Sequence, residues 1–163
     1  MRKAISNTRR AFSMLELIAV VVLLGLISSL GIVSITGQLD QARLTHASQA
    51  IAEADRKERI ASRLSPVPGG MTIEKSKNQL RYRNSFKTIA LGKSVKIAEV
   101  VLGSFATDKN VLFSQSGQSA TYAIRLESRR GANLWIVIVG MTGQSIISDS
   151  SVEVRSLLAM VTG

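Results

Sequence analysis

The sequence has no cysteine, one histidine and two prolines, and aromatics make up only 4% of its 163 residues. The missing cysteines exclude structural disulfides, thiolate-ligated zinc and thiol nucleophiles. A domain of ordinary size does without disulfides even in an oxidising compartment. The single histidine, His46, cannot build a multi-histidine metal site, and on a polar helix face it reads as a solvated side chain. Acids are scarce as well: 11 Asp and Glu face 21 Lys and Arg, a formal charge of +10. Four of the cations, Arg2, Lys3, Arg9 and Arg10, precede residue 11, and the chain beyond them carries +6. That balance permits nucleic acid or anionic lipid as a partner and establishes neither. Phosphate-binding loops, nucleophile elbows, zinc-protease motifs and dinucleotide fingerprints are all missing. The acids of the C-terminal part (Glu74, Glu99, Asp108, Glu127, Asp149, Glu153) are scattered, so no catalytic constellation emerges. Asp108-Lys109-Asn110 and Asp149-Ser150-Ser151 lack the dense carboxylate spacing of a calcium site and read as turn caps. The chain is therefore read as a non-enzyme with no cofactor and no metal.

Charge is also absent from Leu17 to Leu39, a run of 23 positions. At about 1.5 Å per residue this is enough to cross the roughly 30 Å hydrocarbon core of a bilayer. Glu16 stands immediately before the run, and the basic residues before it keep the N-terminus cytoplasmic, with the remainder outside. Three arrangements accommodate these features. A removable signal peptide lacks a clear small-residue cleavage site after its apolar core and fits Glu16 badly. A plain signal anchor is energetically feasible. Thirteen Leu, Ile and Val residues lie between Leu17 and Ile35. At about −0.3 to −0.6 kcal/mol each they outweigh one carboxylate at about +3 kcal/mol, but this arrangement gives Glu16 no purpose. In the third, the chain is cut between Ala11 and Phe12. The new α-amino group of Phe12 then lies one helical turn from Glu16, and opposite charges at one membrane depth pair within a chain or between neighbours.

The third arrangement explains most. Ala11-Phe12-Ser13-Met14-Leu15-Glu16, behind a basic leader and ahead of an apolar run, resembles the prepilin signal of type IV pilins and pseudopilins. The resemblance implies cleavage by a prepilin peptidase, N-methylation of Phe12, and packing into a filament core with Glu16 facing a neighbour's amino terminus. Position 11 is Ala where that family usually has Gly, and no proline interrupts the run. Gly25 and Gly31 instead permit close helix contact or local melting.

Past the run, helix formers continue without Gly or Pro until Pro66, so the spacing predicts one helix from Phe12 to Leu64. Leu39, Ala42, Ala47, Ala50, Ile51, Ala54, Ala61 and Leu64 approximate an apolar stripe; Asp40, Arg43, Arg56, Lys57 and Arg59 read as the solvated opposite face. Ser65 to Gly70 breaks the pattern. Eight short segments follow: 71–75, 79–83, 86–91, 95–102, 110–114, 121–127, 134–139 and 144–148. They are rich in β-branched residues and separated by turn-forming clusters, and they read as strands. The expected architecture is α+β. It comprises a leader (1–11), a membrane and filament-core helix (12–39), an amphipathic helix half (40–64) and an antiparallel sheet domain packed on that half (65–163). The tail from Asp149 is left as an edge strand or a short helix.

Phe113, Gly117, Tyr122, Thr142 and Gly143, within the segments 110–126 and 134–147, resemble the closing strands of the H-type minor pseudopilin of the type II secretion system, and of its relatives among minor pilins. Their local roles are structural: Gly117 and Gly143 supply positive φ in turns, and Phe113 and Tyr122 cover a core face. The resemblance implies a structural subunit in the bacterial inner membrane. Its domain is periplasmic, and its partners are other pseudopilins, the prepilin peptidase and secreted cargo. The alternative is a minor pilin that captures DNA. On that reading Arg81, Arg83 and Lys87 project from one sheet face, and Arg129 and Arg130 stand on a hairpin loop. Tyr82 then points away from its neighbours and offers no stacking platform. A solvated charged surface explains the same cations.

Overall fold

The computed structural model describes residues 13–103 and 110–162; within these, the side chains of residues 29–36, 161 and 162 lie outside the description. Helix α1 spans Met14–Leu64. Ser13 caps it, its hydroxyl and carbonyl accepting from the Glu16 N–H at 3.2 and 3.1 Å. The helix stops at the proline-rich breaker expected at Ser65. The chain divides into two compact units, Met1–Gln38 and Leu39–Gly163. In the first, every described side chain from Met14 to Ser28 is exposed, whichever side of the helix it occupies. Among the described residues no helix is long and apolar enough to cross a membrane. Within the uncharged run, exposure is described for residues 17–28 and again for 37–39.

The second unit holds the remainder of α1 and eight strands, each overlapping one of the eight predicted segments. They are β1 (Gly69–Glu74), β2 (Gln79–Tyr82), β3 (Thr88–Ala90), β4 (Val95–Leu102), β5 (Asn110–Phe113), β6 (Tyr122–Ser128), β7 (Asn133–Ile138) and β8 (Ser145–Ser148). They build the expected antiparallel domain as two sheets, in the orders β3-β2-β1-β5 and β4-β6-β7-β8. The chain leaves the first sheet at β4, which pairs with β6, and returns to it at β5, which pairs with β1. Asn78 joins the two sheets: its side-chain amide donates to the carbonyls of Leu91 and Val95, and its oxygen accepts from the Ile97 N–H at 2.8 Å.

One main core lies between α1 and the inner faces of both sheets. Leu44, Ile51 and Ala54 meet Met71, Leu80, Val111 and Phe113 from the first sheet and Tyr122, Ile124, Leu126 and Ile136 from the second. A second core lies on the other face of the second sheet, where Ala123, Trp135 and Val137 are covered by Val154 and Leu158. These come from helix α2 (Ser151–Thr162), which settles the tail as a helix. Burial on both faces explains why β7 reads as a nearly continuous apolar run rather than an alternating one. Ser150, within the stretch Asp149 to Ser151 expected to cap a turn, caps α2, its hydroxyl accepting from the Glu153 N–H at 3.4 Å.

Candidate assembly segment and charged surfaces

The first unit presents a sleeve of apolar surface. From Met14 to Ile27 the large apolar side chains are 46–82% exposed, all around the helix. A helix apolar on every side belongs inside a larger assembly or a bilayer. At Gly25 an added Cβ would meet nothing within 4 Å, so no contact of this chain requires glycine there. Glu16 lies in the first turn with its side chain exposed. No described residue pairs with its carboxylate. Ala11, Phe12 and the leader lie outside the described residues, as does Asp108; the surroundings of Gly31 lie outside the description too.

The second unit buries a set of polar side chains that includes two residues of the face expected to be solvated. Asp40 and Arg59 are buried, each 5% exposed, as are Asp55 and Glu58; Arg56 and Lys57 are exposed as expected. Leu39, Ala42 and Leu64 of the anticipated stripe are exposed instead. The buried face runs through Leu44, Ser48, Ile51, Asp55, Glu58 and Ser62, a continuous i, i+3/i+4 series in which polar residues extend an apolar stripe. Arg59 Nε pairs with Asp55 Oδ2 at 2.6 Å. One of its terminal nitrogens donates to the carbonyls of Gly117 (2.9 Å) and Gly140 (2.6 Å), the other to the Ser119 hydroxyl (3.0 Å). Its guanidinium carbon lies 5.1 Å from the Phe113 ring centre. The Tyr122 hydroxyl donates to Asp55 Oδ1 at 2.7 Å. Phe113, Gly117, Tyr122 and Gly143, singled out in the sequence, therefore converge on the seat of Arg59. Gly117 and Gly143 adopt the positive φ expected (77° and 72°), and a Cβ on Gly143 would stand 2.8 Å from Arg59 Nε.

Glu58 anchors the neighbouring turns. Its carboxylate accepts from the N–H groups of Gly70 (3.0 Å), Asn84 (2.8 Å) and Ser85 (2.8 Å). Burial pushes its pKa up, but those backbone donors together outweigh it and hold the group below the usual carboxylate value. Burial wins at Asp55, which is raised despite Arg59 and Tyr122. Burial, and then the Asp55 charge, raise both Tyr82 and Tyr122 far above an ordinary phenol. This arrangement ties α1 to the turns around it through Arg59 and Glu58.

The five candidate cations fall into two patches. Arg81 and Arg83 flank inward-pointing Tyr82, as the strand period predicts, and line a hollow of about 270 Å³ with Thr72 and Glu74. Glu74 is shared by Lys77 (2.9 Å), Gln79 (2.9 Å) and Arg81 (3.5 Å), and these partners lower its pKa. Lys87 is half-buried beside Glu53. Between them Phe86 is 90% exposed at φ +51°, a feature that nothing in the sequence marked. Arg129 and Arg130 lie on the β6–β7 turn, within the second sheet. Arg129 Nε donates to the Lys93 carbonyl at 2.9 Å, and Arg130 stands 4.0 Å from Asp40. Among the described residues no contact joins this pair to Arg81 or Arg83.

A groove of about 490 Å³ between α1 and the β3–β4 connection is lined by small side chains, including Ala42, Ala50 and Ala90, with His46 at its side. Among the described residues no three His, Asp or Glu side chains gather as a metal site.

No family model matches the sequence, and no curated protein matches it. Among solved structures, the minor pseudopilin EpsH from the type 2 secretion system of Vibrio cholerae is similar in fold. The two share 10% sequence identity and superpose with a TM-score of 0.52, over 65% of this chain and 96% of that one. The fold is that of a minor pseudopilin: an N-terminal helix packed on antiparallel sheets.

Proposed function

We propose that this chain is a minor pseudopilin, a structural subunit held in the bacterial inner membrane with its N-terminus cytoplasmic and its sheet domain periplasmic. With other pseudopilins it enters a short pseudopilus that serves protein secretion. The observation that carries this reading is the exposed apolar sleeve from Met14 to Ile27, joined to a domain with the pseudopilin fold. Unsupported, such a sleeve leaves several hundred Å² of apolar surface in water; in a bilayer or a helix bundle it is covered. A prepilin peptidase cuts between Ala11 and Phe12, and the N-methylated amine of Phe12 pairs with Glu16 of a neighbouring protomer. That pairing offsets the cost of a carboxylate in lipid and fixes the stagger of the stacked helices.

The decisive measurement is the intact mass of the protein extracted from membranes after co-production with a prepilin peptidase. A chain beginning at N-methyl-Phe12 is expected. Retention of the basic leader, or loss of the whole apolar run, would overturn the reading.

A further inference from the structure

Resting on that membrane-anchored reading, we propose that Arg43, Lys93, Lys96, Arg129 and Arg130 form a collar that docks the domain on anionic lipid headgroups of the bilayer holding the helix. These residues come from three separate stretches, and contacts within the second unit join them. Arg43 and Arg130 both reach Asp40, at 3.5 and 4.0 Å. Arg129 is tied to the Lys93 carbonyl. Lys93, Lys96 and Arg129 line one hollow of about 240 Å³ with Ser94 and Glu127, and Ser94 also lines the groove that Arg43 borders.

Among the described residues the acids in contact with these five cations are Asp40 and Glu127, and both are already engaged. Asp40 is buried, with 7% of its side chain exposed, and Glu127 is engaged by Lys96 at 3.2 Å. Lys93, Lys96, Arg129 and Arg130 are all exposed.

Connectivity gives the collar its partner. Asp40 directly follows the uncharged run that ends at Leu39, and it stands five positions after Ile35, the last apolar residue before Thr36-Gly37-Gln38. Helix covers those five positions in about 8 Å. The headgroup layer is about 5–8 Å deep on each side of the hydrocarbon. Cations held against Asp40 therefore lie at headgroup depth when Leu17–Ile35 spans the membrane, where anionic lipid attracts Lys and Arg side chains. Arg81 and Arg83 have no such tie to the end of the run.

The chain has no cysteine, so single spin labels test this in the full-length protein. Labels at Val22→Cys, Asn133→Cys and Leu64→Cys are reconstituted in phosphatidylcholine, alone or with roughly one-third phosphatidylglycerol. A trace lipid carrying a nickel chelate on its headgroup relaxes nearby labels. The Val22 label reports the anchor: if it is exposed to water, the membrane reading itself fails. With Val22 in lipid, the Asn133 label, opposite Glu127 in the sheet, should relax more strongly in the anionic bilayer and lose that excess in high salt. Each neutralised cation should lower headgroup apposition about fivefold, so Lys93→Gln/Arg129→Gln/Arg130→Gln should abolish the excess. Lys93→Arg/Arg129→Lys/Arg130→Lys should retain it, which separates charge from misfolding. The Leu64 label, about 36 Å further along α1 than Asp40, should stay unrelaxed throughout. Equal relaxation in both bilayers, an unaffected glutamine variant, or relaxation at Leu64 would overturn the collar. So would duplex DNA that shifts the Asn133 label in neutral bilayers and spares the glutamine variant, since it assigns the patch to nucleic acid.

Discussion

The guanidinium of Arg59 donates to the carbonyl of Gly140 at 2.6 Å, across 81 positions of sequence. The same side chain pairs with Asp55 one helical turn away, so α1 is fastened by charge to the turns that close the second sheet. Removing one partner strands a buried charge, whereas removing both does not. Arg59→Met should cost about 3–5 kcal/mol in urea unfolding of the detergent-solubilised protein. Asp55→Leu/Arg59→Met should recover most of that loss. Simple additivity of the two single variants would show that the pair is not coupled.

Stability should respond to acid in two opposed ways. Glu58 has a lowered pKa in the fold, so its contribution is complete above the ordinary carboxylate value of about 4.3 and is lost as pH falls through the folded value. Asp55 has a raised pKa, so its protonation favours the fold as pH falls towards its unfolded value. Glu58→Gln should be less stable by about 3 kcal/mol at neutral pH, because an amide –NH2 replaces one of the two accepting oxygens and faces backbone donors, and should show a flatter acid limb. Asp55→Asn should steepen that limb. Parallel pH profiles of unfolding for the wild type and both variants would contradict these assignments.

Backbone closeness sets the glycine requirements. A Cβ on Gly140 would lie 2.0 Å from the Ser119 carbonyl oxygen, a backbone atom that cannot step aside. Gly140→Ala should therefore destabilise by about 3 kcal/mol or more. Gly131 also has positive φ (86°) but open space around it, so Gly131→Ala should cost only the conformational strain, about 1 kcal/mol. Thermal unfolding of the two variants should rank them in that order.

Trp135, the only tryptophan, reports on α2 because Val154 and Leu158 cover it. Val154→Asp places a charge against that face, with a cost of about 3 kcal/mol. Trp135 emission should shift to the red as α2 lifts away. Unchanged emission would mean that Trp135 is shielded without the helix.

Glu16→Ala should leave processing by the prepilin peptidase largely intact and impair incorporation into the filament, because the exposed carboxylate has no described partner within its own chain. Cross-linking of cysteines placed in neighbouring apolar helices measures incorporation. Normal incorporation of the variant would sink the pairing argument.

The seat of Arg59 was half legible in advance. Gly117 and Gly143 announced turns and Phe113 and Tyr122 a core face, but no pattern connected them to the helix. Arg59 and Lys57 are both cations two positions apart on α1. One is buried and the other exposed, because only Arg59 faces the carbonyls of Gly117 and Gly140. The usable signal was spacing: Asp55, Glu58 and Ser62 continue the i, i+3/i+4 series of Leu44 and Ile51, which a stripe drawn from apolar residues alone passes over.

What the sequence determined by itself was local. Charge-free length, helix propensity up to Pro66, and the β-branched segments and turn clusters beyond it depend only on neighbours along the chain, and they were sufficient for α1 and all eight strands. The tertiary structure decided how the strands divide into two sheets, which helix ions are withdrawn from water, and that the tail folds as a helix over Trp135. Each of these depends on partners beyond the local sequence: Val154 of the tail covers Trp135 from 19 positions away, and Tyr122 meets Asp55 across 67. Spacing can mark which helix face is buried, but which distant groups meet there is set by neither partner's neighbours along the chain.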